Sequence, residues 1–206
     1  MPTNQREIQK RQTLEKIKRS ALEMFASHGL LVSIARIAEH AGITKQALMY
    51  HFPSKNELIS AVMHDIEQDS LESMIQFFSL LLTAQNVQNE EKLEQLVGYF
   101  LENSLWSVLF LRLILENAEG YLPESFRQNH VRVIRDLEKL QQQGKIKKHI
   151  DVAATWTNMN MLLLTTLATS QVESTLTQSL EISPERWLKR RIVSIFWMYR
   201  STIFPN

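Results

Sequence analysis

The sequence predicts an all-α protein in which an N-terminal three-helix helix-turn-helix domain is joined to a larger helical body. Three observations carry that prediction. Apolar residues recur at three- and four-residue spacing through almost every long segment, the period of a helix with one buried face. Only five glycines and five prolines interrupt 206 residues, which favours long helices over turn-rich β structure. Ser33 to Phe52 divides into two short amphipathic stretches about one glycine, Gly42, which is the layout of a helix-turn-helix. With 44% hydrophobic and 22% charged residues, the composition is that of an ordinary globular chain, long enough for one large core or two smaller ones.

Gln5 to His28 reads as a long first helix with Leu14, Ile17, Ala21, Met24 and Phe25 on one face and Gly29 at its end. Ser33 can cap the second helix, whose apolar stripe is Ile34, Ile37, Ala38 and Ala41. The alanines are small where two helices cross closely. Gly42 supplies a left-handed turn, Thr44 caps the third helix, and Ala47 and Leu48 give that helix a buried side. Thr44, Lys45, Gln46, Met49 and Tyr50 are left on its outer face, a set of donors and acceptors suited to a DNA major groove. Ser54-x-x-Glu57 is a capping box that starts a fourth helix, with Lys55 beside free backbone N–H groups where an anion is welcome.

Taken together, these residues resemble the TetR family of bacterial transcriptional regulators, whose signature runs Ile-Ala-x-x-Ala-Gly-Val-Ser and then Leu-Tyr-x-His-Phe-x-x-Lys-x-x-Leu. The resemblance covers about the first sixty residues and falls on Ala21, Phe25, Gly29, Ile37, Ala38, Ala41, Gly42, Leu48, Tyr50, His51, Phe52, Lys55 and Leu58. Two positions depart from it. Met49 replaces the first of the usual paired tyrosines, and the link from Gly29 to Ser33 is one residue short, with Val32 where threonine is usual. On this reading Ser33, Arg36, Lys45, Tyr50, His51 and Lys55 hold phosphates of double-stranded DNA, while Thr44, Gln46 and Lys45 meet base edges. The division of labour is residues 1–55 for DNA binding and residues 56–206 for ligand binding and dimerisation.

Charge supports the same division. The net charge is only +1, but through Lys55 nine lysines and arginines face four glutamates, so a head of +5 sits on a body of −4. The chain has no cysteine, which excludes disulfides, thiolate metal sites and cysteine nucleophiles. The polar N-terminus lacks the apolar core of a secretory signal, and a cytoplasmic location is expected. No histidine has a partner at metal-ligand spacing and no glycine-rich phosphate loop is present, so no enzyme activity, metal or cofactor is expected.

From Lys55 to Leu82 one long helix is expected, with Leu58, Ile59, Val62, Ile66, Leu71, Ile75, Phe78 and Leu82 inward, coupling body to head. Thr83 to Asn89 is a polar link. Helices follow over Glu90 to Asn103, Trp106 to Glu116 and Glu124 to Gln143, the last ending at Gly144. Asp151 caps a stretch, Val152 to Val172, that carries no charge; its asparagines, glutamine and threonines argue against a membrane span. Ser183-Pro184 opens a final helix. These two terminal helices hold more apolar surface than one chain readily covers. The family resemblance implies that they form a four-helix bundle in a homodimer, for which Leu163, Leu167, Leu188, Ile192, Ile195, Phe196 and Tyr199 are the expected interface. An apolar pocket for a small-molecule effector is expected among Tyr99, Asn103, Trp106, Phe110, Trp156, Met159 and Asn160, where large aromatics and amides interrupt apolar helices. The competing reading is an all-helical protein-interaction adaptor, which leaves the basic head without a purpose.

Overall fold

The computed structural model describes residues 2–83, 88–116, 118–169, 175, 177 and 181–205, and among them the chain is entirely helical. The elements are α1 (Pro2–His28), α2 (Ile34–His40), α3 (Lys45–His51), α4 (Lys55–Thr83), α5 (Gln88–Glu102) and α6 (Ser104–Leu115). A single 3-10 turn (Glu119–Tyr121) then leads to α7 (Glu124–Gln142), α8 (Val152–Ala168) and α9 (Pro184–Ile203). Two compact units share them. One comprises Met1–Gln68 with Arg112–Pro123, the other Asp69–Leu111 with Glu124–Asn206.

In the first unit, Ile17, Ala21 and Phe25 of α1, Ile37 of α2, Leu48 of α3 and Leu58 of α4 are fully shielded from water, and Ala38 and Ala41 keep α2 close to its neighbours. Each large side chain buried this way stabilises the unit by about 1.5–3 kcal/mol. The turns are set by local chemistry. Ser33 Oγ accepts from Arg36 N at 3.3 Å, Thr44 Oγ1 accepts from Ala47 N at 3.1 Å, and both caps have extended backbone. Gly29 and Gly42 lie at φ +79° and +63°, conformations that cost a side-chain-bearing residue. The short link after α1 closes as a turn, with Val32 N donating to Gly29 O at 3.3 Å. Val32 is buried there, which accounts for an apolar residue in the threonine's place.

The second unit has one continuous core. Leu93, Leu96, Val97 and Phe100 of α5, Leu137 of α7, Trp156 and Met159 of α8 and the inner stripe of α9 meet in it. Gln141 Nε2 donates to Lys147 O at 2.9 Å and Ile150 O at 2.7 Å, bracing the link between α7 and α8, and Asp151 Oδ1 accepts from Ala154 N at 2.9 Å to start α8. The side chains of Leu71, Ile75, Phe78 and Leu82, expected inward along α4, lie outside the described residues, as does the end of the expected helix beyond Thr169.

The seven residues expected at a dimer interface are buried within the single chain. Leu163, Leu167, Leu188, Ile192, Ile195, Phe196 and Tyr199 belong to the core of the single chain, each at most 9% exposed. Helical periodicity selects the most apolar stripe of a helix, and here α8 packs against α7 and α9, and α9 against α8 and α5, all of the same chain. The apolar side chains that α8 and α9 leave in water are Met161, Trp197 and Met198.

Candidate nucleic-acid interface

The outer face of α3 is open. Thr44, Lys45, Gln46, Met49 and Tyr50 are all exposed, Tyr50 to 78%, while Leu48 on the opposite side is fully buried. Tyr50 meets the His51 ring edge-on at 5.2 Å between centroids, which steers the phenol away from the helix core. Ser33 and Arg36 are likewise exposed at the start of α2. Because the oxygens of Ser33 and Thr44 are already engaged as caps, each hydroxyl keeps its proton for an outside acceptor such as a phosphate or a base edge.

The start of α4 is capped by its own side chains. Ser54 Oγ accepts from Glu57 N at 3.2 Å and donates to Glu57 Oε1 at 3.1 Å, which closes the capping box. The cap does not use the backbone N–H groups of Lys55 and Asn56, and Lys55 is the first residue of the helix. Among the described residues, Arg36, Lys45 and Lys55 have no ion-pair partner, whereas Arg11 pairs with Glu15, Arg19 with Glu23 and Lys18 with Asp65. The basic head thus divides into cations in ion pairs and cations without one among the described residues. Sequence reasoning counted both kinds together, since Lys18 and Asp65 are forty-seven positions apart.

The residues expected to line an effector pocket lie in the second unit, and the structure brings some of them together. Trp156 and Met159 line a small cavity, about 10 Å³, with Leu137, Ile146, Ile150, Val152, Thr155 and Ile203. That is room for about one water molecule. Trp156 Nε1 donates to His130 Nδ1 at 3.2 Å, so the imidazole accepts there as the neutral form, and partial burial lowers its pKa. His130 was not among the expected residues. Phe110 is buried against Phe126, with centroids 5.2 Å apart. The two amides turn back on their own helices, Asn103 Nδ2 donating to Tyr99 O at 2.9 Å and Asn160 Nδ2 to Trp156 O at 2.8 Å. Trp106 Nε1 is a buried donor with no partner among the described residues.

Two capped helices about a left-handed glycine, backed by α1 and presenting an open polar face, define a helix-turn-helix DNA-binding domain. Residues 17–62 match the family described as bacterial regulatory proteins, tetR family. The match spans the last part of α1, the helix-turn-helix and the start of α4. The chain is 29% identical over 130 residues to the HTH-type transcriptional regulatory protein RaaS of Mycobacterium tuberculosis (strain ATCC 25618 / H37Rv), an alignment that spans 59% of this chain and 60% of the relative's length. Among solved structures, a TetR family transcription regulator from Marinobacter aquaeolei VT8 shares the fold with a TM-score of 0.66 and 13% identity, covering 97% of this chain and 100% of that one. A transcriptional regulator from Saccharomonospora viridis, solved in complex with choline, gives a TM-score of 0.57 at 17% identity, over 95% of this chain and 99% of that one. No single helix among the described residues is long and apolar enough to cross a membrane; α5 and α6 reach that measure only as a pair bent by 59°.

Proposed function

We propose that the chain is a ligand-responsive, DNA-binding transcriptional regulator of the cytoplasm, a repressor that binds a palindromic operator as a homodimer and leaves it when a small, largely apolar effector binds. The observation that carries this reading is the exposed face of α3 together with three cations, Arg36, Lys45 and Lys55, that have no ion-pair partner among the described residues. Ser33, Arg36, Lys45, Tyr50, His51 and Lys55 hold phosphates and fix the register; Thr44, Gln46 and Lys45 read bases, with Gln46 to adenine and Lys45 to guanine the pairings geometry favours. Residues 1–55 bind DNA, and residues 56–206 sense the effector and dimerise.

The dimer forms through the outer faces of α8 and α9, where Met161, Trp197 and Met198 are 37%, 42% and 48% exposed. A two-fold contact there places two α3 helices about one DNA turn, roughly 34 Å, or a multiple of it, apart. The effector enters beside Trp156 and Met159, displacing the Trp156–His130 hydrogen bond, and its preference for the DNA-free state sets how far the equilibrium moves. The choline bound by the Saccharomonospora viridis protein supports a small-molecule site in this architecture. No catalytic role is assigned.

Selection of bound duplexes from a random pool tests the reading. Enrichment of an inverted repeat, bound at two chains per duplex, is expected. A pool that never enriches even at low salt would leave the adaptor reading in its place.

A further inference from the structure

We propose that Arg112 is a positioning residue for DNA recognition, acting through the joint between α1 and α2; the inference rests on the DNA-binding reading above. The last turn of α6 and the 3-10 turn after it belong to the same compact unit as the helix-turn-helix, although they lie some seventy residues further along the chain. Arg112 Nε donates to Ala26 O at 2.7 Å and Nη2 to Ser27 O at 3.3 Å. These carbonyls close α1, where the helix has run out of its own donors and its dipole is negative, so a guanidinium fork satisfies them and matches the charge. Glu116 holds the fork from the other side at 3.7 Å. A Cβ on Gly29 would come within 3.3 Å of Glu116 Oε1 and 3.4 Å of Arg112 Nη1, so the residue that bends the chain toward α2 is also the one over which this pair closes.

A second contact holds the other end of the helix-turn-helix. Tyr121 Oη donates to Asn56 Oδ1 at 2.8 Å, beside Lys55 in the first turn of α4. The stretch from Ser33 to Phe52 is therefore held where it leaves α1 and where it meets α4, both times by the segment 112–121. Arg112 touches no DNA in this scheme. It fixes the angle at which α2 and α3 present Ser33, Lys45 and Gln46, which matters for a register-dependent operator and hardly at all for a random duplex.

The absence of cysteine makes a direct test simple. A nitroxide on Leu31→Cys reports on the α1–α2 joint, since Leu31 is 93% exposed there and the label is unique. Arg112→Ala should sharpen its spectrum, whereas Arg127→Ala, which removes the same charge from an exposed pair with Glu124, should not. On DNA, Arg112→Ala should weaken a selected operator about tenfold, one charge-assisted contact of ~1.4 kcal/mol, and a random duplex less than about twofold. If Arg112→Ala does not fold, Arg112→Lys keeps the charge and most of the stem but not the fork, and should still loosen the label and cost the operator several-fold. An unchanged spectrum, or parallel losses on operator and random duplex, would overturn the inference. A wild-type chain that holds no selected operator would sink the DNA-binding reading instead, while the label still judges the clamp.

Discussion

Replacing Lys55 by alanine tests the electrostatic half of the interface and, through its size, the number of heads on the DNA. Alanine is the best helix former, and the Ser54–Glu57 cap does not involve the Lys55 side chain, so α4 keeps its start. What is lost is one phosphate contact per chain. Each contact contributes about 0.9 to the slope of log affinity against log salt, so between 50 and 200 mM salt one contact accounts for roughly 3.5-fold. In a homodimer two copies are lost together, the slope flattens by about 1.8, and the advantage of the wild type over the variant shrinks about twelvefold across that range. Fluorescence anisotropy with a selected operator and a random duplex, each at four salt concentrations, reads the slope directly. Both duplexes should lose affinity to the same extent, because a phosphate carries no sequence information. Parallel salt lines for wild type and variant would show that Lys55 meets no phosphate; a change near 0.9 in place of 1.8 would show a single head engaged.

Gln46→Ala should leave random-duplex affinity and salt slope unchanged and relax discrimination at one base pair by about 1–3 kcal/mol, visible when the selection is repeated with the variant; equal losses on operator and random duplex would remove Gln46 from base readout. Trp197→Glu should convert the dimer to single chains at micromolar concentration by sedimentation while the thermal midpoint of the single chain holds, whereas Leu163→Ala should cost about 2–5 kcal/mol of folding stability; a two-chain mass for Trp197→Glu would place the interface elsewhere. His130 gives a pH dependence of known sign. Burial lowers its folded pKa below the ordinary value near 6.5, so between the two values the unfolded chain binds more protons and stability falls as the pH is lowered through that window, with no effect above it. Urea midpoints at pH 7.5, 6.5 and 5.5 should drop on the acid side for the wild type and less for His130→Gln; a constant difference between the two would contradict the assignment.

What could be read from the sequence is what depends on neighbours three or four residues away. Ser33, Thr44, Ser54, Asp151 and Ser183 each accept from the backbone three residues on, and Gly29, Gly42 and Gly144 each take the left-handed conformation that ends a helix. Such features need no knowledge of the rest of the chain. The outer face of α3 follows from the same logic, because once Leu48 is committed to the core the helical period sends Thr44, Gln46 and Tyr50 outward.

Partner choice is different, because an apolar stripe says that a face is covered without saying by what. In α8, with no charge along its length, several faces are apolar, and the richest one went to the chain's own core, leaving Met161 for an outside surface. Asn103 and Asn160 show the same limit for polar groups: an amide on an apolar helix must find an acceptor, and for both the nearest was the carbonyl four residues back. Arg112 did leave a signal. It is the lone charge in the run Ser-Leu-Trp-Ser-Val-Leu-Phe-Leu-Arg-Leu-Ile-Leu of α6, and a guanidinium set among so many leucines requires acceptors that the helix itself cannot supply. The end of a helix offers such acceptors in the form of unpaired carbonyls, so α1, the longest helix before α4 and one closed by a glycine, was the natural place to look.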